Sequence, residues 1–191
     1  MKTYNGAIGI TPGQEPCGTV LEAAKRQGFA TGLVATSRLT HATPASFYAH
    51  VPDRDLETEI ADFLVDEDGS DLKGLPVDFA FGGGRCFFLP NSTEGSCRTD
   101  DKDLLARAKE KGIKVVQGMA ELREYREEGG GDEGTVLGLF ADDVRSSGSG
   151  TGVLCTRPYA DSWNASQHMD YEIDRQKNTI LTNEQPSLKE M

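Results

Sequence analysis

"GLVATSRLTHATPASFYAHVPDR", residues 32–54, decides the fold. Its first part belongs to "FATGLVATS" (29–37), a short apolar run bounded by turn residues, which predicts a buried strand. A polar corner follows, with a tight His41-Ala42-Thr43-Pro44 step, a helical pattern after Pro44, and Arg54 beyond the next turn. A strand that feeds a helix through such a corner is a building block of an α/β sheet. The corner itself reads either as a ligand-holding wall or as a plain polar loop.

Working outward, the same alternation continues. Upstream, "PCGTVLEAAKRQG" (16–28) predicts a helix with Val20, Leu21, Ala24 and Ala23 on its buried stripe and Gly28 at its C-terminal cap. Downstream, "DRDLETEIADFLVD" (53–66) predicts a helix with Leu56, Ile60, Phe63 and Leu64 on one face. "LPVDFAFGGGR" (75–85) is a strand running into a glycine turn. "DDKDLLARAKEKG" (100–112) opens with acids and closes with bases and glycine, as the helix dipole favours. "IKVVQ" (113–117) predicts a strand, "MAELREYREE" (119–128) a helix and "TVLGLFA" (135–141) a strand, with "GGGDEG" (129–134) as a surface link. The pattern implies an α/β layer with a largely parallel sheet and right-handed crossovers.

The totals narrow the function. A chain of 191 residues suits one domain with a sizeable core. Hydrophobic residues make up 37% and the mean hydropathy is −0.48. A formal charge of −11 argues against nucleic acid and anionic membrane as partners. An anionic substrate would need a local positive centre. No apolar run approaches the roughly 18 to 20 residues that span a bilayer, and "MKTYNGAIGITPGQ" carries no signal-peptide core.

Cys17, Cys86, Cys97 and Cys155 have no CxxC spacing, which argues against a structural zinc. Cys86 and Cys97 flank "FFLPNSTEGS", which contains the sequon Asn91-Ser92-Thr93. Two readings stand: a disulfide-closed loop bearing a glycan in an oxidising compartment, or two unpaired thiols and a chance sequon.

The ordered words "KTYNGAIGI", "GLVATSRLTHATPASFYAHVPDR", "FAFGGGRCFFLP", "GSCRTDDKDLL", "VLGLFA", "HMDYEIDR" and "QPSLKEM" resemble the middle of an alkaline phosphatase, nearest the fungal vacuolar or secreted type. The "THATPASFYAH" run with its downstream "DR" is the specific part. The resemblance implies a partial three-layer sandwich around a largely parallel central sheet. It also implies a phosphomonoesterase with two zinc ions and one magnesium, working through a phosphoserine intermediate. Thr43 matches the hydroxyl ligand of magnesium, His41 a position touching the magnesium water shell, and Arg54 the phosphate-binding arginine. A hydroxyl oxygen is a hard ligand suited to Mg²⁺, and a guanidinium fork fits phosphate as lysine cannot. Taken alone, Thr43 reads as a capping or turn residue, His41 as a satisfied polar group, and Arg54 as a partner of Asp53, Asp55 or Glu57. His50 is read as structural.

The family's Asp-Ser-Ala nucleophile segment belongs before "KTYNGA", and its later acidic and histidine ligands after "QPSLKEM". Residues 1–191 therefore read as one incomplete domain, with zinc ligands absent, that is inactive alone. "VRSSGSGTGVLCTRPYADSWNASQ" (144–167) interrupts the resemblance. Its codons can begin with GT and end with AG, so it reads as a retained intron or as a Gly/Ser-rich surface insertion. The resemblance further implies phosphate monoester substrates, a homodimer, and a vacuolar-membrane or secreted location for the full-length protein. Two competing readings are a non-catalytic acidic α/β module that binds a phosphate-bearing ligand through Arg54, and an interaction fragment with no ligand.

Overall fold

The computed structural model describes residues 3–66, 77–127 and 134–141. Four strands form one sheet in the order β1-β2-β4-β3: β1 is Gly32–Arg38, β2 Phe79–Gly83, β3 Lys114–Val116 and β4 Val136–Leu139. Every neighbouring pair is parallel, with Gly32 opposite Phe79, Phe79 opposite Val136, and Lys114 also opposite Val136. The expected α/β architecture is therefore present.

Side chains alternate across a strand, so the sheet has two apolar faces. One carries Ala80, Leu137 and Leu139, with Leu33 and Val115 packed beside them. It is covered by α1 (Val20–Arg26), α2 (Ala42–Ala45), α3 (Glu57–Val65) and α4 (Leu104–Glu110), which contribute Leu21, Ala45, Ile60, Leu64, Leu104 and Ala108. The other face carries Phe81, Val116, Val136 and Phe140, against Met119 and Leu122 of α5 (Met119–Glu127). Helices on both faces of a parallel sheet make three layers.

Local chemistry sets where each helix starts and stops. Thr19 and Glu22 form a reciprocal capping box at the start of α1. At its end, Gly28 adopts φ +79°, the Gly28 N–H donates to the Lys25 carbonyl, and the Phe29 N–H donates to the Ala24 carbonyl. That Schellman pattern stops the helix where the glycine predicts it. Asp103 caps α4 by accepting from the Ala106 N–H at 2.8 Å.

Several expectations need correcting. Helix α1 is shorter than 16–28, and Val20 and Ala23 lie outside its buried stripe, Val20 being 74% exposed. Val20 sits in the first turn beside the cap, where Leu21 alone reaches the core. Strand β1 is not a buried strand. It is an edge among the described strands and only partly covered, and Phe29 before it is 66% exposed. The corner helix contains Pro44 instead of starting after it, because a proline in the first turn forfeits no intrahelical bond. On α3, Ile60 and Leu64 are buried as expected, but Ala61 and Val65 complete the face, with Leu56 and Phe63 only partly buried.

Cys86 and Cys97 form a disulfide, with Cα atoms 5.0 Å apart, while Cys17 is free. Of the first cysteine reading, the disulfide-closed loop is present. The block 144–167, with Cys155 and its own sequon, lies outside the described residues.

Candidate functional site

The corner forms where β1 leaves the sheet. The Leu39 N–H donates to the Gly83 carbonyl at 3.0 Å, so the chain stays paired with β2 until it turns. The His41 N–H then donates to the Arg38 carbonyl at 3.1 Å, and His41 becomes the N-cap of α2 with extended backbone. Tyr48 returns under the corner and donates its hydroxyl to the Leu39 carbonyl at 2.8 Å. Burial, with Glu57's charge adding to it, holds that phenol well above its ordinary pKa, so it remains a donor.

The glycine run supplies space for this turn. A side chain at Gly82 would meet Leu39 Cγ at 2.8 Å, and one at Gly84 would meet Arg38 Cβ at 3.0 Å. Gly84 also holds φ +89°, in the region that disfavours other residues.

A second strap brings Arg54 to the same place. Ile8 and Val51 exchange backbone hydrogen bonds of 3.0 and 2.9 Å, and the Arg54 N–H donates to the Gly6 carbonyl at 2.7 Å. The Tyr4 hydroxyl donates to the Pro52 carbonyl at 2.9 Å. The N-terminal segment thereby fixes residues 51–54 over the corner. Arg54 Nη2 lies 3.5 Å from His41 Nε2, the outer limit of a hydrogen bond, with Nε2 accepting when it is the unprotonated nitrogen.

Arg54 does not pair with its neighbouring acids. Asp53 Oδ1 accepts from the Asp55 N–H at 3.0 Å. Glu57 instead grips Arg38, taking Nε at 2.8 Å and Nη2 at 2.7 Å, and accepts from the Thr40 hydroxyl at 2.6 Å. Among the described residues no ion pair engages Arg54, which is exposed. Thr43 is also exposed, one residue before Pro44, and its carbonyl accepts from the Ser46 hydroxyl at 2.8 Å. His41 and Arg54 are thus brought into contact, while Thr43 stands on the same first turn as the His41 cap. His50 is structural: its ring bridges the Gly9 carbonyl at 2.7 Å and Glu22 at 3.1 Å.

Glu57, Arg38 and Thr40 were missed as members of the corner. Glu57 ties the exit of β1 to the start of α3, the two segments that carry His41 and Arg54. The sequence offers one signal for it, an acid three residues beyond Arg54, which reads more simply as a local partner of that arginine.

A metal needs more than this corner holds. Mg²⁺ demands about six oxygen ligands and gives up water reluctantly. Thr43 offers one neutral hydroxyl, and among the described residues no group of three or more His, Cys, Asp or Glu is placed to hold an ion. The donors present here do not by themselves fit a magnesium or zinc site. The arginine does fit a phosphate: its planar fork can take two oxygens, and it stands at the carboxyl end of a parallel strand, where α/β sheets gather their ligands.

Comparison with known proteins points to one family. The family model "Alkaline phosphatase" matches residues 1–147. An alkaline phosphatase of Schizosaccharomyces pombe is 40% identical over 191 residues, covering 100% of this chain and 29% of its own length. The repressible alkaline phosphatase of Saccharomyces cerevisiae is 43% identical over 151 residues, covering 75% of this chain and 26% of its own. Among solved structures, the Thermus thermophilus alkaline phosphatase superposes with a TM-score of 0.66 at 32% identity, over 100% of this chain and 30% of that one. The enzyme of the Antarctic bacterium TAB5 gives 0.59 at 34% identity over 74% of this chain and 36% of its own, and a variant of it is described with Mg bound in its M3 site. The chain spans under a third of the length of these two curated relatives. On the family match and these identities, the chain belongs to the alkaline phosphatase family.

Proposed function

We propose that this chain supplies the phosphate-gripping wall of a metal-dependent phosphomonoesterase. Arg54 binds two non-bridging phosphate oxygens, Thr43 is a magnesium ligand, and His41 touches the magnesium water shell. One observation carries the reading: Arg54, engaged by no carboxylate among the described residues, meets His41 at the exit of β1. In a chain of net charge −11, a guanidinium left in the open is the positive centre an anionic substrate requires.

The chemistry assigned to this chain's own side chains is binding and orientation. Arg54 fixes the phosphoryl group and offsets its charge through charge-assisted hydrogen bonds. His41, standing at 3.5 Å, limits where the guanidinium can swing. The wider reading concerns the full-length protein: ester hydrolysis through a phosphoserine, one Mg²⁺ and two Zn²⁺, a homodimer, and a vacuolar-membrane or secreted location. The likeness to the fungal enzymes supports it. The resemblance puts the nucleophile and zinc ligands of that reading outside residues 1–191. Residues 1–191 are one incomplete domain of it, inactive alone. The block 144–167, inside which the family match ends, is a retained intron, and mature transcripts that keep its 24 codons would overturn that part.

The deciding experiment is substitution of Arg54 by alanine in the full-length protein, read as competitive inhibition by inorganic phosphate. Hydrogen bonds to charged groups contribute about 1.5–3 kcal/mol, so phosphate should bind about 10- to 100-fold more weakly. An unchanged inhibition constant would overturn the role of Arg54. Metal-dependent turnover by residues 1–191 alone, above an R54A control, would overturn their inactivity.

A further inference from the structure

We infer that Asn91 is an N-glycan acceptor, attached at the tip of the loop that the Cys86–Cys97 disulfide closes. Three independent features meet there. The first is chemical: Asn91-Ser92-Thr93 is an acceptor sequon with no proline at its centre.

The second is steric. Residues 91–94 are all exposed, and the loop reverses at Gly95, which takes φ +86° with open space around it. The tip is nevertheless fixed at its root. The Asn91 N–H donates to the Asp100 carbonyl at 2.9 Å, the Thr93 N–H donates to the Pro90 carbonyl at 2.9 Å, and the Ser96 hydroxyl donates to the Leu89 carbonyl at 2.7 Å. Behind it Arg98, wholly buried, binds Asp100 and the carbonyls of Phe87 and Thr58. A sugar on Asn91 therefore leaves an ordered loop for solvent without displacing a packed side chain.

The third is redox. A disulfide between Cys86 and Cys97 persists in an oxidising compartment and is rare in a reducing one. The compartment that closes this loop in eukaryotic cells is the one in which asparagine amides are glycosylated. The donor class is a lipid-linked oligosaccharide pyrophosphate. The bond from Asn91 Nδ2 to the sugar C1 forms, the C1–oxygen bond breaks, the lipid pyrophosphate leaves with the electron pair, and one amide proton is lost.

The inference does not rest on phosphate chemistry, so either can fail without the other. It is tested by passing the full chain through the secretory pathway of a yeast behind a cleavable leader. Glycan is then released by an amidase in heavy-oxygen water, and the peptides are read by mass. The expected result is Asn91 converted to labelled aspartate, with the conversion lost in both N91Q and T93A. Peptide-level reading separates this site from the second sequon, Asn164-Ala165-Ser166. An unmodified Asn91 peptide in material whose Cys86–Cys97 bond is oxidised would overturn the inference.

Discussion

Arg38 and Glu57 face each other largely out of solvent, with side chains 18% and 15% exposed. Loss of this two-point contact is costly, since a largely buried charge is poorly placed to regain hydration for the hydrogen bonds it loses. Glu57→Ala should lower the unfolding free energy by about 2–3 kcal/mol in urea titrations, and an unchanged midpoint would refute the clamp. Asp100 gives a pH signature. Two hydrogen bonds from the Arg98 guanidinium hold its carboxyl below the ordinary 3.8, outweighing the opposing effect of burial. A depressed folded value means the stabilisation is complete above 3.8 and drains away as pH falls through the lower folded value. Thermal melts from about pH 5 to 2 should therefore show a steeper acid loss in the native chain than in Asp100→Asn. At this scale the sequence revealed which residues carry charge but not who faces whom. Glu57 lies three positions from Arg54 and nineteen from Arg38, yet it binds Arg38, because β1 and α3 are brought together only by the folded sheet.

Elements were more legible than partners, for physical reasons that differ along the chain. Gly28 ends α1 and Asp103 starts α4 because a left-handed cap and a side-chain cap are chemically local. The corner helix was harder to delimit. Pro44 suggested a boundary before it, whereas three first-turn positions require no N–H partner and admit proline. Burial of β1 was misjudged because an edge strand and a central one share the same apolar composition. The loop after β2 is where element chemistry can be measured directly. Closing about 12 residues with a disulfide removes denatured-state entropy that amounts to about 3 kcal/mol. The double change Cys86→Ser with Cys97→Ser should lower stability by about that much in guanidinium titrations, and no loss would show that the loop is held by Arg98 and its hydrogen bonds alone.

Across the molecule the sheet is covered unevenly. Helix α5 lies over β3 and β4, while Val34 and Phe79, at the β1 side, are 46% and 38% exposed. Strand β1 is also the last in the order of the described strands. Exposed apolar side chains of this kind invite packing against another chain. Val34→Lys should reduce self-association of this chain in light scattering at raised concentration, with no change in its far-ultraviolet circular dichroism; equal aggregation would point to another surface.

The strand order has a consequence for how the polypeptide is born. β3 emerges from the ribosome before β4, yet it touches β2 only through β4, which must slide in between them. Among the described strands, β3 pairs with β4 alone, and that pairing waits until residue 139 is synthesised. The loop at Asn91 is synthesised ahead of that moment, so a glycan added there would meet layers that are still open behind it.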